Sequence, residues 1–419
     1  VIAAWCVLSL LAAQPGLGAE RDVAAIVRRW VRQLDASELS RRDEAERALI
    51  ALGPPALDVL PPPDDRTPPE IRRRLARVRS ALEDAAARGA IRAATVTLDG
   101  EMPIAQALRA VEQQTGNRLA GFEDRDAVVQ TDLRATPFWQ ALDRLLDASA
   151  LTTDPYGGEP RTLVLVARPE GDTNRGERAA YDGAFRIEPL RIIAAKDLLR
   201  PAGNGLRVAL GVGWEPRLDL ILLEHDPATL RCADNQGRTV PVAGAMGKVE
   251  FSPRSGTTGL EFEVLFERPS RESRALASLD GELSALVAGR VESFVFGGDL
   301  AKARDVSVRK GAVTVVLEES SSRLGAYRIH ARVRFDDASR ALESHRGWIF
   351  SNEAWLVDAK GTRIEPASLD VTRQTPHEVG LDYWFNLPDG LEGHAFTYRG
   401  PTALVRHPVR FSFADLELP

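Results

Sequence analysis

The hydrophobic period of this chain changes once, and the change divides it. Up to about residue 170 apolar side chains recur every three or four residues, interrupted by short strand-like runs; beyond about residue 183 they recur every second residue. The first spacing belongs to helices that bury one stripe, the second to strands with one dry and one wet face. The sharpest case sets Tyr327, Ile329, Ala331, Val333 and Phe335 against Arg328, His330, Arg332, Arg334 and Asp336, so one register buries the apolar set and hydrates the polar one. Val208, Leu210, Val212 and Trp214 follow the same rule, as do Phe262, Val264 and Phe266, then Tyr383, Phe385 and Leu387, then Val409, Phe411 and Phe413. Turns punctuate these strands at Asp234-Asn235-Gln236-Gly237, Asp358-Ala359-Lys360-Gly361 and Pro388-Asp389-Gly390. Short antiparallel strands so spaced predict sandwiches, and their total length exceeds one immunoglobulin-sized unit of about 100 residues. The polar stretch 297–304 offers a break. We expect a first β-sandwich over residues 183–300, a second over 304–419, and a polar linker over 171–182.

Upstream, two turns of one phrase, Pro103-Ile104-Ala105-Gln106-Ala107-Leu108 and Pro137-Phe138-Trp139-Gln140-Ala141-Leu142, lie 34 residues apart. Each opens an amphipathic helix behind a short apolar strand. Ile104, Ala107, Leu108 and Val111 share a face in the first copy and Phe138, Ala141, Leu142 and Leu145 in the second. The prolines suit the first helical position, with Thr136 as cap in the second copy, and Gly116 supplies a left-handed stop. Residues 151–153 and 162–167 read as closing strands around the turn at Asp154-Pro155-Tyr156-Gly157-Gly158. A period of 34 is also that of tetratricopeptide arrays, but the intervals here are rich in strand and stacking needs three or more copies.

Before the duplication come three helical signals. Val23, Ile26, Val27, Trp30, Val31 and Leu34 recur at helical spacing. A second helix runs from a cap near Ser40 through Ala45, Leu49 and Leu52 to Gly53 and Pro54-Pro55. A third has Thr67 as N-cap, Pro68 at the first helical position and Glu70 completing a capping box worth about 1 kcal/mol. Pro61-Pro62-Pro63-Asp64-Asp65 connects the last two. The expected fold class is therefore multi-domain α+β: an N-terminal helical hairpin, a duplicated strand-helix αβ module, then two antiparallel β-sandwiches.

Over residues 95–167 the strand ending in Leu98, the proline-led helix containing Ala107-Leu108 and its second copy resemble the short N-terminal domain of secretins and TonB-dependent receptors. The resemblance implies a periplasmic αβ domain of two packed units, here placed at 91–170, that binds proteins or small envelope components; it brings no catalytic residues, and no outer-membrane barrel follows. Residues 20–90 resemble a HEAT-like helical repeat, clearest over 41–60, which suits a cap. The order of segments resembles envelope proteins of GC-rich bacteria, planctomycetes in particular.

The first residues support export. Residues 1–13 are apolar and uncharged, and Gly16, Gly18 and Ala19 precede the first charge at Glu20, the shape of a signal peptide over 1–19. No later run reaches the ~20 apolar residues a membrane helix needs, so we expect no span in the mature chain and a periplasmic or secreted location. The net charge of -6 argues against a nucleic-acid partner, which would require a concentrated basic face. Cys232 is the one thiol beyond that leader, so no internal disulfide is expected.

A search for chemistry returns little. No two of His225, His330, His345, His377, His394 and His407 are three or four residues apart, so no helical metal pair forms; a late cluster of His345, His377 and His394 stays conceivable because strands join distant residues. Ser255-Gly256 lacks the setting of a nucleophile elbow, and Gly211-Val212-Gly213 has no helix behind it to cradle a phosphate. Asp336-Asp337 and Glu318 read as solvated loop charge, and Cys232 as a small buried residue. No catalytic, cofactor or metal residue is assigned. Trp139 and Trp384, each beside an inward aromatic, are the candidate partner contacts, although a contact between domains of this same chain is the preferred reading of both. The expected function is non-catalytic binding or scaffolding of an envelope protein or other envelope component; the alternative is a hydrolase for carbohydrate or peptide at a domain junction.

Overall fold

The computed structural model describes residues 16–61, 67–172, 178–196, 198–199, 204–244, 247–254, 256–311, 313–323, 325–335, 349–350, 352–375, 377–388 and 390–419. Most of the expected leader, most of the proline connector, Ser255, Asp336, Asp337, His345 and Asp389 lie outside the described residues. The chain divides into two compact units near residue 86.

The first unit holds α1 (Gly16–Gln33), α2 (Leu39–Ala51), a 3₁₀ turn (Pro54–Asp58) and the start of α3 (Pro69–Ile91). Val27, Leu34, Ala45, Leu49, Leu57, Leu60, Val78 and Leu82 pack into one core. Gly53, at φ +75°, ends α2 as its sequence predicts. The cap does not follow the prediction: α2 starts at Leu39 behind Glu38, without a side-chain cap, and Ser40 lies inside its first turn. At α3, Pro68 offers its carbonyl to Arg72 N, and Glu70 meets Arg42 and Arg74 at 3.1 and 3.3 Å. Arg74, 6% exposed, also binds Asp43 and Glu46 at 2.8 and 2.7 Å. Arg77 first, with Arg74, holds the Glu46 carboxyl below its usual range.

The second unit begins with the duplicated module: β1 (Thr95–Pro103), α4 (Ile104–Thr115), β2 (Arg118–Ala120), β3 (Val128–Pro137), α5 (Phe138–Ala148), β4 (Leu151–Asp154) and β5 (Thr162–Ala167). β1 and β3 pair as an antiparallel ribbon, while β5 joins β2 in parallel and β4 in antiparallel fashion. Each proline ends a strand and takes the N-cap, one place earlier than expected, with φ -58° at Pro103 and -54° at Pro137. The reason is shared by both copies. The first helical amide is already satisfied by backbone, Ile104 N by Ala127 O and Phe138 N by Ala94 O, both at 2.7 Å, so no capping side chain is needed. The inward residues named above are buried, and Gly116 stops α4 at φ +70°.

The strands that follow are β6 (Ala180–Asp182), β7 (Phe185–Ala195), β8 (Gly205–Trp214), β9 (Leu220–His225), β10 (Arg231–Asp234), β11 (Val249–Phe251), β12 (Gly259–Phe266) and β13 (Ala275–Phe296). Then come β14 (Arg304–Lys310), β15 (Val313–Arg323), β16 (Ala326–Phe335), β17 (Glu353–Val357), β18 (Arg363–Ile364), β19 (Ser368–Gln374), β20 (Glu378–Asn386) and β21 (Ala395–Glu417). A four-stranded sheet runs β12-β8-β7-β6, a five-stranded sheet β14-β15-β16-β20-β19, and a seven-stranded sheet β11-β9-β13-β21-β17-β18 with β10 also on β13.

The seven-stranded sheet changes the expected partition. β13 and β21, 22 and 23 residues long, are antiparallel partners along nearly their whole length. One end carries Leu276, Leu279, Leu283, Val409, Phe411 and Phe413 into a core against the four-stranded sheet; the other carries Phe294, Phe296, Phe396 and Tyr398 into a core against the five-stranded sheet. Two cores form between the sheets, and one strand pair serves both. Phe294 and Phe296 therefore pack with the second core, as does Leu404, while Val409, Phe411, Phe413 and Leu416 pack with the first. The register shifts between Ala288 and Val291, around Gly289, a bulge within the paired strands.

Candidate functional site

The module is joined to the outer face of the four-stranded sheet through buried polar groups. Trp139 on α5 is 3% exposed; its Nε1 donates to Ala184 O at 3.1 Å and its ring lies on Gly213, where an added Cβ would stand 3.2 Å away. Expected as a partner contact or an internal one, Trp139 is internal: a second element covers the flank of its helix stripe, leaving no surface for a partner. One turn on, the buried Asp143 accepts from Tyr181 Oη at 2.6 Å and Arg186 Nε at 2.7 Å. Arg186 Nη1 meets Glu188 Oε1 at 2.7 Å, while Nη2 has no acceptor from the chain. Burial first, then Asp143, pushes the Tyr181 phenol far above its usual range.

A second joint forms at Glu215, fully buried just beyond β8. Its carboxylate accepts from Ala94 N at 2.9 Å, Asn117 Nδ2 at 2.9 Å and Arg217 Nε at 2.6 Å, and Asn117 Oδ1 accepts from Arg217 N at 3.0 Å. Such a network fixes position, since each buried group loses its solvation if a partner moves. Between the joints and the sheet lies a cleft of about 110 Å³, lined by Trp139, Pro155 and Leu163 from the module and by Arg186, Glu188, Gly211, Gly213 and Thr258 from the sandwich.

The second polar assembly covers the outer face of the five-stranded sheet. His330 Nδ1 lies 2.5 Å from Asp382 and Nε2 lies 2.7 Å from Glu318. Arg332 bridges Glu318 and Glu378 at 2.7 and 3.1 Å, Arg328 reaches Glu319 and Asp382, and Arg373 reaches Glu378 at 2.8 Å. Consecutive Glu318 and Glu319 both join because β15 bulges between Leu317 and Glu319. Glu318 is thus paired sheet charge, where its sequence suggested a solvated loop. At one end Trp384 is half-buried, its Nε1 donating to Asp370 at 2.9 Å. Of the two tryptophans, Trp384 is the one with a face toward solvent.

The remaining candidates stay apart. His225 is 2% exposed, stacks on Phe262 with ring centroids 4.9 Å apart, and has no hydrogen-bond partner on either nitrogen. Burial holds its pKa below the usual value, against the pull of Asp226. His394 Nδ1 lies 3.1 Å from Glu392 O, and His377 is exposed ahead of β20. Burial, with Asp234 and Asp280, pushes the Cys232 thiol up to about 11. Gly211 and Gly213 are strand residues of β8. Among the described residues no group of three or more His, Cys, Asp or Glu side chains is arranged to hold a metal ion.

Sequence reasoning missed Asn117, Asp143, Arg186, Glu188 and Glu215. Two signals were available. Asp143 interrupts the apolar run of α5 four residues after Trp139, and Gly211 and Gly213 clear one face of β8, a mark of close approach by another group. Comparison of the chain with family models, curated proteins and solved structures yields no match.

Proposed function

We propose that this is a non-catalytic, exported binding or scaffolding protein of the bacterial envelope, which docks an envelope protein or other envelope component through the αβ module. The observation that carries the reading is how the module is held. It is tied to the sandwich by buried polar bonds from Asp143 on α5, Asn117 ahead of β2 and Ala94 just ahead of β1, while the β1-β3 ribbon keeps Thr95, Thr97, Asp99, Glu101, Val128, Gln130, Asp132 and Arg134 exposed. A two-stranded ribbon has two edges with no further strand on them among the described residues; Gln114 occupies the backbone of Thr97 on β1, and the rest of such an edge can accept an added strand from a partner. The repeated strand-helix-strand unit supports the likeness to the secretin and TonB-receptor domain, and the leading apolar segment supports export. Among the described residues no helix is long and apolar enough to cross a membrane. Binding is preferred to hydrolysis because the two buried carboxylates beside the cleft, Asp143 and Glu188, are tied to one guanidinium.

The test is recovery of partners from envelope extract by the full chain and by a Glu101→Lys, Gln130→Lys variant, which alters facing ribbon residues. Recovery should fall at least several-fold with unchanged thermal unfolding. Unchanged recovery removes the ribbon from the interface, and Trp384→Ala then asks whether the five-stranded face carries it.

A further inference from the structure

We propose that two copies of this chain associate through the outer edge of β7, each filling a groove in the other. β6 pairs with β7 only from Phe185 to Ile187. Beyond Ile187 that edge of β7 carries no further strand among the described residues, so its outward amides and carbonyls can take an added strand. The free stretch is apolar. Leu190 and Ile193 are 37 and 41% exposed, and Arg191 is the one charge between 189 and 195. β6 also bridges to the facing sheet, where Arg410 N donates to Asp182 at 2.8 Å. A groove of about 490 Å³ lies between β7 and the end of β21. Ile192, Leu416 and Leu418 line it and are only partly buried, so the first sandwich core is incompletely covered here.

The occupant is set by what else this edge carries. Leu198 and Leu199, just past β7, are 80 and 93% exposed. These leucines follow the end of the free stretch, whereas the groove flanks its start at 189–192. An antiparallel β7–β7 pair reverses direction, so it brings the leucines of each copy to the groove of the other. Such a contact is self-complementary, as a two-fold interface must be. The charges agree with it. Arg178 and Arg191 share the rim with Asp415 and Glu417, two of each sign, so bases can meet acids across the axis, where a rim of one sign would repel its own copy. The register shift at Leu190 confines straight pairing to 191–195, a short run that makes a weak, reversible dimer.

Sedimentation of the full chain from about 1 to about 200 µM tests the proposal. One copy should give way to two, with a dissociation constant on the order of 10 µM. Ile193→Lys, which charges an already exposed edge position, should weaken association at least ~10-fold with unchanged thermal unfolding. Leu198→Asp, on a side chain that already faces solvent, should weaken it about 3- to 10-fold and holds the test open if the first variant fails to fold. A chain that stays single throughout, assembly beyond two copies, or a dimer that either folded variant leaves at full strength overturns the proposal. The ribbon variant Glu101→Lys, Gln130→Lys should sediment like the unaltered chain, so this interface and the ribbon fail separately; a dimer lost in that variant places the contact on the ribbon and overturns the β7 edge.

Discussion

Arg186 and Arg332 each meet two carboxylates, in different surroundings. Arg186 holds two carboxylates with its side chain 6% exposed between the module and a sheet; Arg332 holds two with its side chain 23% exposed on the open face of the five-stranded sheet. The histidines repeat the contrast. His225 is enclosed in the first sandwich core with no partner, whereas His330 lies on the outer face of the second between two acids. In these two pairs the first sandwich encloses the polar group, whose value then depends on every partner being in place, and the second holds it on a partly open face where water can replace a lost partner.

The largest test of that difference is Arg186→Met. It takes the guanidinium away from Asp143 and Glu188 in a closed joint, leaving Asp143 the Tyr181 hydroxyl, and stability should fall by about 3–5 kcal/mol in urea unfolding. Replacing Asp143 and Glu188 as well, by Asn and Gln, should recover part of the loss. A drop below about 1 kcal/mol would show that water enters the joint and that the two assemblies are alike.

Next in size is Gly213→Val. A Cβ at this position already meets the Trp139 ring at 3.2 Å, and the ring is anchored through Ala184 O. Branched methyl groups should push it off the sheet and cost about 1–3 kcal/mol, read by the same unfolding curves. Gly390→Ala near the second sandwich, whose Cβ meets only Tyr327 at 3.4 Å, tests backbone strain instead, since its φ is +87°. The Gly213 variant should change tryptophan emission and the Gly390 variant should not.

Much of this fold is legible in the chain, and the boundary of legibility is physical. Period two placed Ile329, Ala331, Val333 and Tyr383 inward, and all are buried. Asp234-Asn235-Gln236-Gly237 is a turn because the Asp234 carboxylate accepts from Ser273, then from Arg238 N and Gln236 N, which draws its pKa down to about 2. The continuity of β13 and β21 was not legible, since a bulge at Gly289 and the Gly400-Pro401 pair look like strand ends until the partner strand is seen. Nor was the joint. Arg186 and Glu215 find acceptors and donors 43 and 98 residues away, and no local spacing encodes such pairs.

His225 sharpens the comparison by pH. Its folded-state pKa is below the ordinary ~6.5, so between the two values the unfolded chain binds more protons. The stabilisation is full above the ordinary value and is lost as the pH falls from there through the folded value. Urea midpoints taken from pH 7.5 to 5 should therefore decline, and His225→Leu should flatten the decline. If the slope survives the substitution, acids elsewhere set it.

The smallest expected effect belongs to the open lattice. His330→Gln and Arg332→Met each remove a partner of Glu318, yet that carboxylate is 27% exposed and keeps the other partner, so each single change should cost about 1 kcal/mol or less. The informative quantity is the double variant. With both partners gone Glu318 keeps the more distant pull of Arg373, and Asp382 loses His330 while Arg328 stays 3.4 Å away. A coupling energy of a few tenths of a kcal/mol would mark the lattice as a set of separable surface pairs. Coupling above about 1 kcal/mol, with dependence on salt from 0.05 to about 0.5 M, would make it a cooperative network despite its exposure, and the division between the two sandwiches would then rest on connectivity instead of burial.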